Sequence, residues 1–356
     1  MVPPLRRPSY STSGYSLGSR RSLRPPRRSG RRRFYRIFVI LLPFALLGTR
    51  ELTLKPSGRD LPSVTITTPA PSVKPLQARV VPRPTPRFSP GPIHSNAPLS
   101  LSRDWLRRHP PAQPPAIDGR AAIVIDLDRR QILYEQSATT RYPVGSLAKL
   151  MTGMVADDIA PPGLMVTVPQ GATGAALDRQ GLSAGEQLSV HDLLTGLLLV
   201  SANDAAETLA RGMVARARFI ELMNQKASLM RLRDSAFIDP GGVDDGASFS
   251  SAQDMAVILA TLLRDYPDLR QILGTRQVQL VGAGHKPYDL INADRLLWTY
   301  PGAIGGKPAY SGAAGYCLAA AATRQGRTVL AVVLGSDQHF TDAGALLDFG
   351  FRHLSS

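Results

Sequence analysis

Two β-rich runs stand at opposite ends of one long stretch of chain. "AAIVIDLDRRQILYEQ", residues 121–136, places two such runs around the polar turn Asp128-Arg129-Arg130. "YCLAAAATRQGRTVLAVVLG", residues 316–335, does the same around Arg324-Gln325-Gly326. Each is expected to be a hairpin, because polar and glycine residues between β-prone runs favour chain reversal. Between them lie helical patterns at 146–158, 190–200, 203–232 and 251–264, and a short apolar-periodic helix follows at 340–354. Strands at both ends with helices between predict an α+β domain: one antiparallel sheet closed by the N- and C-terminal hairpins, flanked by helices, with a mostly helical subdomain. The domain is expected over 116–356, long enough for a substantial core.

The formal charge of +15 suggests a nucleic-acid partner until it is located. Residues 1–49 carry eleven arginines and no acid, residues 50–115 carry ten basic and three acidic side chains, and residues 116–356 carry 21 basic and 24 acidic. The folded part is therefore slightly acidic, which argues against a basic face for nucleic acid. The single cysteine, Cys317, allows neither an intrachain disulfide nor a thiolate cluster, and the six histidines lack ligand spacing. No metal site is expected.

Residues 1–33, rich in Arg, Ser and Pro, are expected to be a disordered basic tail. The segment 34–49 contains an uninterrupted apolar run, Ile37–Gly48, with Pro43 inside it. Its length suits a signal-peptide core or signal-anchor better than a full membrane span, and the upstream arginines would hold the N-terminus inside while the rest is sent outward. Residues 50–115 hold 15 of the 30 prolines and are expected to form a semi-rigid linker. At about 3 Å per residue it would reach roughly 200 Å. A spacer of that reach has a purpose if the apolar segment stays in the membrane, so an uncleaved anchor is expected, with the domain outside the cytoplasm, in the cell envelope.

Three features carry chemistry. In "RYPVGSLAKLMTG", Ser146 opens a helix and Lys149 follows one turn later on the same face. A neutral lysine can take the proton of a serine hydroxyl, and burial or a second cation would lower its pKa enough to keep it neutral. Alone, this spacing is equally that of a helix-capping serine beside a surface lysine. In "LLLVSANDAAETLA", Ser201 and Asn203 lie between two helices; they either cap the second helix or, if the loop is extended, face one site together. In "GAIGGKPAYSGAAGY", Lys307 enters a strand, with a proline behind it where a strand normally supplies a donor. A strand edge there could pair with an extended peptide and supply an oxyanion N–H.

Ser146-x-x-Lys149, Ser201-x-Asn203 and Lys307 follow the order of the Ser-x-x-Lys, Ser-Asp-Asn and Lys-Thr-Gly set of β-lactamases and penicillin-binding proteins. Over about 118–354 the chain resembles the serine D-alanyl-D-alanine carboxypeptidases, the low-molecular-mass penicillin-binding proteins. "YPVGSLAKLMTG", "GLSAGEQLSVHDLLTGLLLVSANDAAETLA" and "LLWTYPGAIGGK" carry the likeness beyond the three motifs. The resemblance implies a serine β-lactamase/DD-peptidase-like fold, no cofactor, peptidoglycan stem peptides as substrate and β-lactam antibiotics as covalent inhibitors. It implies Ser146 as the acylated nucleophile, Lys149 as its base and Ser201 as the proton relay to the leaving amine. Asn203 would hold the substrate backbone, Lys307 would draw in its carboxylate, and the N–H groups of Ser146 and Tyr310 would form the oxyanion hole.

The chain departs from the family at Lys307-Pro308-Ala309, where the family has Lys-Thr-Gly. Proline has no hydroxyl for the substrate carboxylate, and alanine adds a methyl against the substrate. Ser311, two positions beyond Ala309, could take over part of the contact. The expected function is a serine DD-carboxypeptidase with an altered or slowed site. The alternatives are a catalytically silent peptidoglycan- or partner-binding module and a β-lactamase-like hydrolase; the latter needs a deacylating base that the sequence does not place.

Overall fold

The structure, a computed structural model, describes residues 88–174, 178–243, 247–282 and 286–354. The basic tail 1–33, the apolar segment 34–49 and spacer residues 50–87 lie outside the described residues. Among those described, no helix is long and apolar enough to cross a membrane.

The five main strands are β1 (Ala121–Asp126), β2 (Gln131–Gln136), β9 (Ala303–Ser311), β10 (Gly315–Arg324) and β11 (Arg327–Leu334). They form one antiparallel sheet in the order β2-β1-β11-β10-β9. The two hairpins thus meet through β1 and β11, with Ala121 opposite Leu334 and Asp126 opposite Val329. Both predicted turns are present: Arg130 and Gln325 take positive φ values of 54° and 50°, and Gly326 completes the second reversal at 73°. Three short ribbons lie outside the sheet, pairing β3 (Tyr142–Pro143) with β6 (Phe249–Ser250), β4 (Met165–Thr167) with β5 (Gln187–Ser189), and β7 (Gln277–Val281) with β8 (Pro287–Ile291).

The helices are α1 (Asp104–Arg108), α2 (Ala148–Ile159), α3 (Val190–Leu199), α4 (Asn203–Met213), α5 (Arg216–Leu229), α6 (Ala252–Asp265), α7 (Pro267–Gly274), α8 (Leu296–Thr299) and α9 (His339–His353). The helix expected over 203–232 is two helices, broken at Val214-Ala215. Gly212 in the last turn before the break lies so close to Val166 that a Cβ there would meet the valine methyl at 2.4 Å.

Both faces of the sheet are covered, so the middles of its central strands are apolar in continuous runs rather than alternating. Val124, Val329, Ala331 and Val333 face α9, where they pack on Leu346, Leu347 and Phe349. Ile123, Ile125, Leu330 and Val332 face the helical body, built around α2, α3 and α6. Alternate side chains of a strand point to opposite faces, and here each set has its own core.

The last part of the proline-rich segment is laid on the domain. Leu99 and Trp105 are buried, and Phe88, Ile93 and Leu101 pack against the main core. Ser102 bonds β2 on its outer side, donating to Arg130 O and accepting from Ile132 N, both at 2.9 Å. That strap shields one edge of the sheet, where bare donors and acceptors would otherwise invite pairing with other chains. The opposite edge, β9, is the one that carries Lys307 and Pro308. An edge strand has a side that makes no ladder bonds, which is why a proline is tolerated in it.

Candidate active site

Ser146 sits in a single tight turn, Gly145–Leu147, that runs directly into α2. Gly145 has φ +51°, and a Cβ on it would lie 3.4 Å from the carbonyl carbon of Tyr310 and 3.5 Å from Ser311 Oγ. The nucleophile turn is thereby pressed against the end of β9. One helical turn on, Lys149 is fully buried. Its Nζ lies 2.8 Å from Ser146 Oγ, 2.7 Å from Asn203 Oδ1 and 2.7 Å from Gly241 O.

That contact set fits a neutral amine. A carbonyl and an amide oxygen can only accept, so they take two N–H groups. An uncharged amine then has one lone pair left, and the remaining contact is the serine hydroxyl, which can donate. Burial first, and the Lys307 charge second, hold Lys149 well below the ordinary lysine range, against the opposing pull of Asp178 and Asp239. Desolvation disfavours the charged form, and a nearby like charge adds to it.

Ser201 and Asn203 occupy the hinge between α3 and α4. The junction is neither a side-chain cap nor an extended loop but a kink: Ser201 takes φ +62°, and Asn203 is already the first residue of α4. The local reason is that Ala202 N folds back onto Gly196 O at 3.1 Å, closing the end of α3. Neither side chain caps α4, since its N-cap residue is Ala202 and makes no side-chain bond. Ser201 Oγ is buried with no hydrogen-bond partner among the described residues, while Asn203 Oδ1 accepts from Lys149. A non-glycine residue in the left-handed region with an unsatisfied buried hydroxyl is strained twice over, a pattern concentrated at functional sites.

Lys307 is also fully buried, and burial brings its pKa to about 8, with Asp178 and Asp294 pulling it back up. Its Nζ donates to Pro308 O at 2.9 Å. Tyr310 is exposed on β9, and Ser311 Oγ accepts from Ala314 N at 3.1 Å, tying it into the turn to β10. The fold therefore joins Ser146, Lys149 and Asn203 by direct contact. Tyr310 and Ser311 abut the nucleophile turn, and Lys307 acts on Lys149 through its charge. Ser201, Pro308, Ala309 and Tyr310 share one open cleft of about 410 Å³. A larger hollow of about 740 Å³, between Leu99, Arg264 and Thr328, contains none of these residues.

A model of the D-alanyl-D-alanine carboxypeptidase family matches residues 109–338. The chain belongs to that family. It is 32% identical over 252 residues to the D-alanyl-D-alanine carboxypeptidase DacB2 of Mycobacterium tuberculosis, covering 68% of this chain and 86% of that one. It is 29% identical over 245 residues to DacF of Bacillus subtilis, covering 66% of this chain and 63% of that one, so it spans less than two thirds of the Bacillus relative. Among solved structures, a D-alanyl-D-alanine carboxypeptidase of Mycobacterium tuberculosis superposes with a TM-score of 0.64 at 30% identity, over 68% of this chain and 94% of that one. The Streptomyces K15 DD-transpeptidase gives 0.64 at 28% identity, over 68% and 100%. The α+β fold expected from the two hairpins is the fold of these carboxypeptidase relatives.

Three supports of this carboxypeptidase-family site escaped the sequence reading. Gly241 supplies a backbone carbonyl to Lys149, and its loop is held by Asp239, whose Oδ1 accepts from Gly241 N at 2.7 Å and whose Oδ2 accepts from Arg216 at 2.6 Å. Asp204 is buried and accepts four backbone N–H groups, from Gln180, Gly181, Leu182 and Ala205, fixing the loop beside the Ser201 hinge. Asp294 is buried behind β9 with one oxygen unpaired among the described residues, and burial lifts its pKa to about 6. The only signals available were Asp-Pro-Gly-Gly at 239–242 and an acid directly after Asn203.

Proposed function

We propose that this chain is a serine DD-carboxypeptidase of the cell envelope that removes the terminal D-alanine of peptidoglycan stem peptides. The observation that carries this reading is the contact set of Lys149, a buried amine 2.8 Å from the Ser146 hydroxyl and held by Asn203 and Gly241.

In the first step neutral Lys149 takes the proton of Ser146 Oγ, and the oxygen attacks the carbonyl carbon of the penultimate D-alanine. The backbone N–H groups of Ser146 and Tyr310 stabilise the oxyanion. The C–N bond breaks, and Ser201 passes the proton that the leaving D-alanine amine needs. Water then attacks the ester carbonyl, Lys149 takes the water's proton, and as the bond to Ser146 Oγ breaks it returns that proton to the serine oxygen. Asn203 both anchors Lys149 and holds the substrate backbone. The hydroxyl missing at Pro308 would cost about 1.5–3 kcal/mol, roughly ten- to a hundredfold in kcat/KM, which slows the reaction without abolishing it.

Fluorescent penicillin labelling tests the reading: an adduct on Ser146, together with D-alanine release from a D-Ala-D-Ala peptide that Ser146→Ala abolishes, is expected. Pro308-Ala309 favours a second reading, a silent binding module, and labelling without release, or neither, would establish it. Nitrocefin turnover would instead indicate a β-lactamase.

We infer that the domain lies outside the cytoplasm, because the apolar segment 34–49 and the arginines before it suit an uncleaved signal-anchor. A mature N-terminus beyond residue 49 by mass spectrometry would overturn the anchor.

A further inference from the structure

The lysine expected to draw in the substrate carboxylate does not surface in the cleft. Lys307 is fully buried, and its ammonium is turned onto Pro308 O. Where the chain exposes β9 to the cleft it offers Pro308 and Ala309, which have no side-chain donor, and Tyr310, whose phenol is a neutral one. Ser311 Oγ is engaged by the backbone of its own turn. A terminal carboxylate bound beside Ser201 therefore needs its countercharge from another element.

Among the described residues lining the cleft, Arg295 is the one guanidinium or ammonium. It is exposed, and its side chain makes no hydrogen bond or ion pair to any described residue. Its backbone is fixed at the start of α8, where its carbonyl accepts from Trp298 N at 3.0 Å and Thr299 Oγ1 at 3.0 Å. Its guanidinium lies 5.7 Å from the centre of the Phe340 ring, a cation–π contact that holds the charge over the cleft wall. His339 beside it stacks on Tyr316 at 5.0 Å, and burial followed by the Arg295 charge lowers its pKa. Asp178 and Asp337 also line the cleft and would repel a carboxylate, so the arginine is needed for an anion to enter.

Building on the reading of the site as a DD-carboxypeptidase, we propose that Arg295 reads the free carboxylate of the leaving D-amino acid, in place of the strand hydroxyl lost at Pro308. A guanidinium can bind a carboxylate through two parallel N–H donors, which a lysine cannot. Arg295 would thus set the preference for a free C-terminus, while Ser146, Lys149 and Ser201 carry out the bond exchange.

The test uses the full chain and two peptides that differ only in ending with D-alanine or D-alaninamide. The native chain is expected to favour the acid. Arg295→Ala should lower kcat/KM for the acid roughly 10- to 100-fold and leave the amide nearly unchanged, so the preference disappears. Arg295→Lys should restore part of it, and Arg270→Ala, which removes an exposed charge at the other hollow, should change nothing. An Arg295→Ala chain that folds, by its thermal midpoint, and keeps the native acid-to-amide ratio overturns the proposal. If no peptide is hydrolysed by the native chain, the carboxypeptidase reading fails. Equilibrium binding to Ser146→Ala, with and without Arg295→Ala, still decides the arginine, because only the acid peptide should weaken.

Discussion

Lys307, fully buried, donates its ammonium to the carbonyl of its own neighbour, Pro308, at 2.9 Å. Its pKa of about 8 has two consequences of opposite sign. The cation is present below pH 8 and lost above it, so kcat/KM should fall as pH rises through 8. In the unfolded chain the same lysine keeps its proton until about pH 10.4. Between pH 8 and 10 the unfolded state therefore binds more protons, and this residue's contribution to stability rises with pH. Peptide hydrolysis and urea midpoints, compared between the native chain and Lys307→Arg, should show the alkaline fall in activity only in the native chain and a shallower rise of stability in Lys307→Arg, where buried Lys149 still contributes. An alkaline limb that persists unchanged in Lys307→Arg would assign it elsewhere.

The base is equally open to test. Lys149→Ala removes the only amine in contact with Ser146 Oγ among the described residues. Loss of a positioned general base slows proton transfer about 10²- to 10⁴-fold. The rate of Ser146 acylation by a fluorescent penicillin should drop by that range. The variant should also lose stability, about 1–3 kcal/mol for each buried acceptor left unmet, since Asn203 Oδ1 and Gly241 O lose their contact with Lys149. A variant that acylates within threefold of the native rate would remove Lys149 from the mechanism.

The sheet and most of the site were legible because their signals are local. Polar and glycine residues at 128–130 and 324–326 mark two reversals whatever surrounds them, and helical spacing puts Lys149 beneath Ser146. Three kinds of feature were not legible. Gly241 acts through a carbonyl oxygen, which has no residue-type signature. Ser201 faces the cleft through a left-handed kink imposed by the end of α3, not by its own preference. Residues 88–109 read as proline-rich spacer, since their few anchors, Leu99, Trp105 and Asn96, gain meaning only from the surface they meet. Lys226, which meets Asn96, was one more charge in a helical pattern.

Gly242 offers a sharper test of how the site is held. It has φ +70°, and a Cβ there would lie 2.0 Å from Gly145 O, in the turn that presents Ser146. Gly326 has a similar φ of +73° but open space around it. Alanine in the left-handed region costs about 1–2 kcal/mol by itself, so both variants should lose about that much stability. Only Gly242→Ala must also push the 239–243 loop or the Ser146 turn aside, and a displacement near 1 Å can cost about 100-fold in rate. Acylation should therefore collapse in Gly242→Ala and be unchanged in Gly326→Ala. Equal acylation in the two would show that the loop yields without moving Lys149.

The strap should prove to be part of the fold rather than part of a tether. Lys226 is fully buried, and its ammonium shares three N–H donors among four oxygens in reach, Asp158 Oδ2 at 2.8 Å, Tyr266 Oη at 2.6 Å, His94 O at 2.8 Å and Asn96 Oδ1. Asp158 is buried too, and accepts from Tyr266 Oη at 2.8 Å and from His94 N at 3.1 Å. Two of the four groups around the ammonium belong to the strap, so the charge pair and the strap are held together. Removing one member of a buried pair leaves the other uncompensated and costs about 3–5 kcal/mol, whereas replacing both by apolar residues can be close to neutral. Lys226→Met alone should therefore lower the urea midpoint far more than Lys226→Met with Asp158→Leu. Deleting residues 1–87 should leave the midpoint where it is, while deleting residues 1–109 should lower it sharply. A chain beginning at residue 110 that unfolds at the native midpoint would show that the strap adds nothing to the domain.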